Sequence, residues 1–207
     1  MGGEFRRVRA MMPFEYLDKR AKDFSWDFYG NDVPEENKNL VNAFVVNFEK
    51  FRKNGKGLYI YSNTKGSGKT LLSCCLLNEV IERYGIGAKF INILDYLDLT
   101  KKGHPSTEDK EERGSILRTS LLVLDDMGVE GVSTNWVNTT LYQLINFRYS
   151  NNLITIITSN ASIEELKVDE RIKDRINAMC IPIHMPEVLI RRKEASRKNA
   201  EFLKSVM

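Results

Sequence analysis

The residues best suited to chemistry in this sequence are Gly68, Lys69 and Thr70, which end a glycine-containing loop. Gly-Lys-Thr closes the phosphate-binding P-loop pattern, in which successive backbone N–H groups form a concave anion site at a helix N-terminus. We expect Lys69 to reach the β- and γ-phosphates of a nucleoside triphosphate. The hydroxyl of Thr70 is expected to ligate Mg²⁺.

The loop departs from the full pattern at Asn63, where glycine is expected. Asparagine is among the few residues that tolerate positive φ, and Gly66 and Gly68 still let the backbone approach phosphate. A strand-like run before the loop and a largely apolar run after it argue against a chance glycine turn. The predicted nucleotide contacts are Asn63, Thr64, Lys65, Gly66, Ser67, Gly68, Lys69, Thr70 and Leu71.

Two carboxylates, Asp125 and Asp126, follow an apolar run of strand length. Parallel sheets place their ligands at the carboxyl ends of their strands, so these side chains are expected at the same site as the P-loop. We predict that Asp125 holds Mg²⁺, directly or through water. Asp126 is predicted to polarise the attacking water, a role that glutamate takes more often. The alternative is an acidic turn without function.

Asn160 ends a second apolar run, at a level where it would face the P-loop and Asp125. We expect its amide to hold the attacking water or to sense the γ-phosphate. The alternative is a cap for a short helix that begins at Ser162, since asparagine is a common helix cap.

A pair of arginines, Arg171 and Arg175, stands four residues apart and therefore shares one helix face. Arginine is suited to stabilising charge that is spread over transferring phosphoryl oxygens. The alternative is a pair of surface salt bridges with Glu170 and Asp174.

The candidate site residues can meet only in a fold that brings the ends of separate strands together. Runs of strand length alternate with helical runs along the chain, which predicts an α/β domain with a mostly parallel sheet. The predicted strands are 57–62, 88–93, 121–124, 153–158 and 180–185, and the predicted helices are 34–54, 69–84, 94–99, 108–118, 134–149, 162–165, 169–175 and 187–204.

Length and composition suit one such domain: the chain has 207 residues, a formal net charge of +3 and a hydrophobic fraction of 42%. We expect an N-terminal extension over residues 1–22, in part disordered, and an ATPase domain over 23–207 in which 187–207 is a basic helix.

The aromatic residues between 13 and 30 are expected to lie across the domain surface or to form a wall for an adenine ring. No apolar run reaches the roughly 18 residues of a membrane span, and no signal core is present, so we expect a cytoplasmic protein without a membrane partner.

The order of these motifs resembles the ATPase domain of AAA+ proteins and, among them, the family of DnaC/DnaI helicase loaders and IstB-like transposition helpers. The resemblance covers about residues 23–204 and implies a P-loop NTPase fold with three αβα layers. It also implies roles by position. Lys69 and Thr70 bind phosphate and Mg²⁺, Asp125 and Asp126 are the Walker B acids, Asn160 is sensor 1, Arg171 and Arg175 lie where an arginine finger reaches a neighbouring subunit, and Arg191 is sensor 2.

The resemblance further implies ATP and Mg²⁺ as cofactors and a homo-oligomer with ATP at its subunit interfaces. It implies a replicative DNA helicase and single-stranded DNA as partners, with Tyr96, Lys101 and Lys102 as weak DNA-contact candidates. The expected activity is slow ATP hydrolysis, stimulated by assembly or single-stranded DNA. Alternatives are an ATPase helper of a transposase, a small-molecule P-loop kinase and a nucleotide-gated scaffold that scarcely hydrolyses ATP.

Overall fold

The computed structural model describes residues 10–101, 106–128 and 134–207. Within these residues five strands form one sheet in the order β2-β3-β4-β1-β5, and every neighbouring pair is parallel. All carboxyl ends therefore lie at one edge. The strands are β1 (Gly57–Tyr61), β2 (Ala88–Asn92), β3 (Leu121–Met127), β4 (Ile154–Ser159) and β5 (Cys180–His184).

Helices connect these strands, because parallel neighbours require a crossover connection. Three short 3-10 helices precede them, at Phe14–Tyr16, Ala21–Asp23 and Trp26–Asp32. The α-helices in the described part of the chain are α1 (Glu35–Val46), α2 (Phe48–Lys53), α3 (Lys69–Tyr84), α4 (Ile93–Lys101), α5 (Thr107–Arg118), α6 (Asn135–Ser150), α7 (Glu170–Met179) and α8 (Ile190–Val206).

The sheet separates two hydrophobic clusters, because neighbouring residues of a strand point to opposite faces. Leu58 and Ile60 of β1 pack with α3 in one cluster, whereas Tyr59 packs with α6 and α7 in the other. Both faces are thus covered, as parallel sheets require. No helix in the described ranges is long and apolar enough to cross a bilayer.

Two predicted helices differ from the observed ones. The helix predicted over 34–54 breaks at Asn47, whose ψ of 28° leaves the helical range, and the fully buried Phe48 begins the second helix. The helix predicted over 162–165 is a single turn. There Glu165 accepts a hydrogen bond from the N–H of Ser162 at 3.0 Å.

The N-terminal segment lies across α3, the helix that follows the P-loop. The fully buried side chain of Asn78 donates to the carbonyls of Tyr16 and Lys19 at 2.9 and 2.8 Å. Arg20 makes a two-point contact with Glu79, both bonds being 3.0 Å. These contacts hold the segment beside the P-loop.

Candidate nucleotide-binding site

The P-loop connects β1 to α3, and its backbone has the form that its glycines permit. Gly66 and Gly68 have φ values of 78° and 92°, in the left-handed region that favours glycine. A Cβ at Gly68 would lie 2.7 Å from the hydroxyl of Tyr29, so any other residue would also have to displace that side chain. Asn63 is not among the described residues with positive φ, so the loop does not use the tolerance of asparagine for that conformation. Asparagine at this position causes no left-handed strain.

Lys69 is held inside the loop and is only 5% exposed. Its ammonium group donates to the carbonyls of Ser62 and Thr64 at 3.1 and 3.0 Å and to the hydroxyl of Ser67 at 3.2 Å. Burial lowers the pKa of Lys69, and nearby carboxylates oppose that shift. The loop thus carries one buried positive charge at the start of α3.

Thr70 and Asp125 lie in direct contact, as a shared magnesium site requires. The Thr70 hydroxyl is 3.0 and 3.2 Å from the two carboxylate oxygens, and Thr158 on β4 donates to the same carboxylate at 2.6 Å. Burial raises the pKa of Asp125 to about 6, although the bonds from Thr158 and Thr70 oppose the shift. A hydroxyl beside a carboxylate is a donor set that suits Mg²⁺.

Asp126 adopts a left-handed backbone conformation, with φ of 59°. Aspartate tolerates this better than most residues, and the N–H of Asp126 donates to Thr158 Oγ1 at 2.9 Å. The β3–β4 register shifts between Leu124 and Met127, which marks a local irregularity. This places Asp126 at the cavity, whereas Asp125 remains behind Thr70.

A cavity of about 600 Å³ brings together most of the predicted site residues. P-loop residues 65–71 line it together with Asp126, Asn160 and Arg191. Tyr16 adds an aromatic side chain from the N-terminal segment. The volume is in the range of small-molecule sites, and the glycine backbone, the lysine and the hydroxyl–carboxylate pair fit a triphosphate with Mg²⁺.

The position of Asn160 favours one of the two interpretations that the sequence left open. The turn that follows is capped by Ser162, whose hydroxyl accepts from the N–H of Glu165 at 3.3 Å. The Asn160 side chain makes no hydrogen bond with any described residue and lines the cavity. Its role toward a nucleotide remains a prediction.

Asn63 and Thr64 do not line the cavity, although the sequence predicted contacts from both. Their N–H groups donate instead to the carboxylate of Glu187, at 2.8 and 2.5 Å, and the Ser62 hydroxyl donates to it at 3.0 Å. Burial alone would raise the pKa of Glu187, but these hydrogen bonds outweigh it and lower the pKa to about 2. Sequence reasoning missed Glu187, because it had placed the residue inside the last helix, which begins only at Ile190.

Arg171 and Arg175 do not line the cavity either. Both guanidinium groups lie over the ring of Tyr142 on α6, 4.8 and 4.9 Å from its centre. Arg171 makes a two-point contact with Asp169 at 3.0 and 2.9 Å. Arg175 donates to neutral groups, Asn146 Oδ1 at 2.6 Å and the Tyr142 hydroxyl at 3.1 Å. Neither arginine therefore forms the alternative salt bridge, with Glu170 or Asp174, that the sequence left open.

Comparison with protein families identifies one model that matches nearly the whole chain. The family described as IstB-like ATP binding protein matches residues 6–198. The replicative helicase loader DnaI of Bacillus subtilis (strain 168) is 30% identical over 128 residues, 61% of this chain and 40% of that protein. The replicative helicase loader DnaC of Escherichia coli (strain K12) is 26% identical over 122 residues, 57% of this chain and 49% of that protein. The chain thus spans less than half the length of these relatives.

Solved structures give the same fold. A crystal structure of DnaI superposes with a TM-score of 0.72 at 26% identity, covering 85% of this chain and 95% of that one. A crystal structure of the DnaC helicase loader gives 0.72 at 25% identity, covering 84% and 100%. The replication initiator DnaA bound to AMPPCP and single-stranded DNA gives 0.62 at 20% identity, covering 85% and 52%. The predicted resemblance and the AAA+ P-loop fold are confirmed.

Proposed function

We propose that this chain, which belongs to the family of IstB-like ATP binding proteins, binds ATP with Mg²⁺ and hydrolyses it. The observation that carries the proposal is the single cavity lined by residues 65–71, Asp126, Asn160 and Arg191, with Thr70 in contact with Asp125. Four separate segments of the chain meet there.

Each residue has a role that its position supports. The N–H groups of residues 65–71 and the ammonium of Lys69 would bind the phosphates, and the Thr70 hydroxyl and Asp125 carboxylate would hold Mg²⁺. When bound, Mg²⁺ neutralises charge on the phosphate oxygens. Asp126 would orient the attacking water and accept its proton. The proposed site residues also include Asn160, beside that water, and Arg191, on the phosphates.

We propose further that the ATPase acts in DNA replication and brings a replicative helicase onto single-stranded DNA. The similarity to the loaders DnaI and DnaC supports this role. The IstB-like family match favours a second candidate, an ATPase that assists a transposase. Of the DNA-contact candidates, Tyr96 is fully buried, Lys101 is exposed at the end of α4, and Lys102 lies outside the described residues.

The first test concerns the site itself. Lys69→Ala should abolish nucleotide binding because it removes the buried charge of the loop, whereas Asp126→Asn should retain binding and lose turnover. Binding of a fluorescent ATP analogue and release of phosphate, with and without single-stranded DNA and over a range of protein concentrations, measure the two steps. Unchanged hydrolysis in Asp126→Asn would remove Asp126 from the mechanism.

The same assay separates the candidate functions. Phosphate released to water supports an ATPase, whereas phosphate transferred to an added nucleoside would indicate a kinase. Co-purification with a replicative helicase supports the loader role. Co-purification with a transposase supports the second candidate.

A further inference from the structure

The segment that leads into α8 runs along the P-loop and is bonded to both of its ends. The N–H of Met185 donates to the carbonyl of Tyr61 at 2.8 Å, which continues the β5–β1 pairing. At the other end, the N–H groups of Ile190 and Arg191 donate to the carbonyl of Gly66 at 3.0 and 3.1 Å. The loop and the segment that leads into α8 are therefore joined by backbone hydrogen bonds at two places.

Between these two backbone contacts, the side chain of Glu187 adds a third contact with the loop. Its Oε1 accepts from the N–H of Asn63 at 2.8 Å and lies 3.1 Å from Nε2 of His184. Its Oε2 accepts from the N–H of Thr64 at 2.5 Å and from the Ser62 hydroxyl at 3.0 Å. One carboxylate thus holds three consecutive residues of the loop.

The residues held by Glu187 are also the ones that hold Lys69. Ser62 and Thr64 use their hydroxyl and N–H groups toward Glu187 and their carbonyls toward the Lys69 ammonium, at 3.1 and 3.0 Å. The direction of each carbonyl is set by the same short stretch of backbone that the carboxylate fixes. Glu187 and the Lys69 ammonium are therefore bonded to the same two residues of the loop.

We propose that Glu187 is a positioning residue for the P-loop, which fixes the first turn of the loop and, through Ser62 and Thr64, the place of Lys69. The inference rests on the proposed function, because it concerns the affinity of the same site for nucleotide. Glu187 does not line the cavity, so it acts through the loop and makes no contact with substrate.

A different role for Glu187 predicts the opposite change in nucleotide affinity when the carboxylate is removed. If the carboxylate served only as a counter-charge to Lys69, its removal would strengthen the attraction between the loop and a polyphosphate. If it positions the loop, its removal frees the N–H of Asn63, leaves the N–H of Thr64 with only the Ser62 hydroxyl at 3.3 Å, and loosens the carbonyls that hold Lys69. Nucleotide affinity then falls, and it falls for ADP as well as ATP, because both place phosphates in the loop.

The experiment uses the full chain with Glu187→Gln and Glu187→Ala. Glu164→Gln is the matched control, because Glu164 is exposed and its carboxylate has no partner among the described residues. We expect Glu187→Gln to weaken ATP and ADP binding and to raise KM by about five- to tenfold with kcat nearly unchanged, the pattern of lost uniform binding. The loss should be larger in Glu187→Ala, since glutamine keeps one acceptor. The control should match the wild type.

Hydrogen exchange of the nucleotide-free protein provides a second measurement that does not depend on ATP. In Glu187→Gln the amides of Asn63 and Thr64 should exchange faster, while peptides from α6 remain as protected as in the wild type. Unchanged exchange at these amides, or nucleotide affinity that is equal or tighter, would overturn the positioning role. If the wild type itself binds no nucleotide, the proposed function fails, whereas the exchange data still decide what Glu187 does.

Discussion

At the scale of single residues, Asp125 shows that the candidate site is built at a cost to stability. The side chain is only 5% exposed, and burial raises its pKa to about 6. The folded protein therefore holds the Asp125 proton more tightly than the unfolded chain does. The stability associated with that proton is fully present below about pH 4 and is lost as the pH rises through about 6.

We predict that Asp125→Asn stabilises the metal-free and nucleotide-free protein at neutral pH. The wild type bears a buried charge there that costs on the order of 2–3 kcal/mol, and asparagine is neutral. Thermal unfolding in the presence of a chelator should show a higher Tm for Asp125→Asn at pH 7.5 and a much smaller difference at pH 4.5. Mg²⁺-dependent ATP binding should fall in the same variant. A lower Tm at pH 7.5 would show that the hydrogen bonds from Thr70 and Thr158 outweigh burial.

At the scale of elements, a single buried arginine joins two helices and a strand. Arg148 on α6 is fully buried and donates to Thr155 Oγ1 at 2.8 Å and to the carbonyls of Leu117 and Thr119 at 3.0 and 3.1 Å. It therefore satisfies carbonyls at the C-terminus of α5, which would otherwise lack partners. Burial without a carboxylate partner lowers the pKa of Arg148 to about 9.

We expect Arg148→Met to destabilise the protein by about 3–4 kcal/mol, because it leaves several buried carbonyls unpaired. Arg148→Lys should recover little of the stability that Arg148→Met loses, since one ammonium cannot reach all the acceptors that the planar guanidinium reaches. Chemical denaturation measures the change, and Arg118→Met, at an exposed position, is the control. A loss in Arg148→Met no greater than in the control would contradict this account.

Helix α7 carries two arginines, and only one of them has its charge neutralised by a carboxylate of the same chain. Arg171 is paired with the carboxylate of Asp169, whereas Arg175 is held by the neutral groups of Asn146 and Tyr142. We infer that Arg175 is the guanidinium that serves a neighbouring subunit. Arg175→Ala should lower the ATPase rate of the assembled protein by about 100-fold or more, and Arg171→Ala by much less. Equal losses in the two variants, measured under saturating ATP, would contradict the assignment.

At the scale of the whole molecule, α7 lies away from the cavity, and we propose that its arginines act across a subunit interface. Neither Arg171 nor Arg175 lines the cavity of its own chain, so either one would reach a nucleotide only in another copy. Mixing Arg175→Ala with Lys69→Ala protein should restore part of the activity, because each variant supplies what the other lacks. Sedimentation with an ATP analogue would show whether a mixed assembly forms. An assembly without recovered activity would count against the intersubunit site.

Much of the fold followed from the sequence because its signals are local. The alternation of strand and helix runs placed all five strands within a few residues of their observed bounds. Errors arose where a distant contact decides the boundary. The chain leaves the helical range at Asn47 beside the buried Phe48, which divides a predicted helix, and Glu187 precedes α8 and is bonded to the P-loop.

The sequence alone determined the P-loop and the acidic strand end at Asp125, because each depends on residue types within one continuous stretch, and the order of such motifs along the chain determined the resemblance to the AAA+ family. Only the tertiary structure decided that β4 lies between β1 and β3, so that Thr158 holds Asp125 in place. It also decided that Glu187, 124 positions from Asn63, accepts hydrogen bonds from the first N–H groups of the loop. The spacing of residues within one stretch does not predict such pairings, since they arise only when strands from distant parts of the chain align in one sheet.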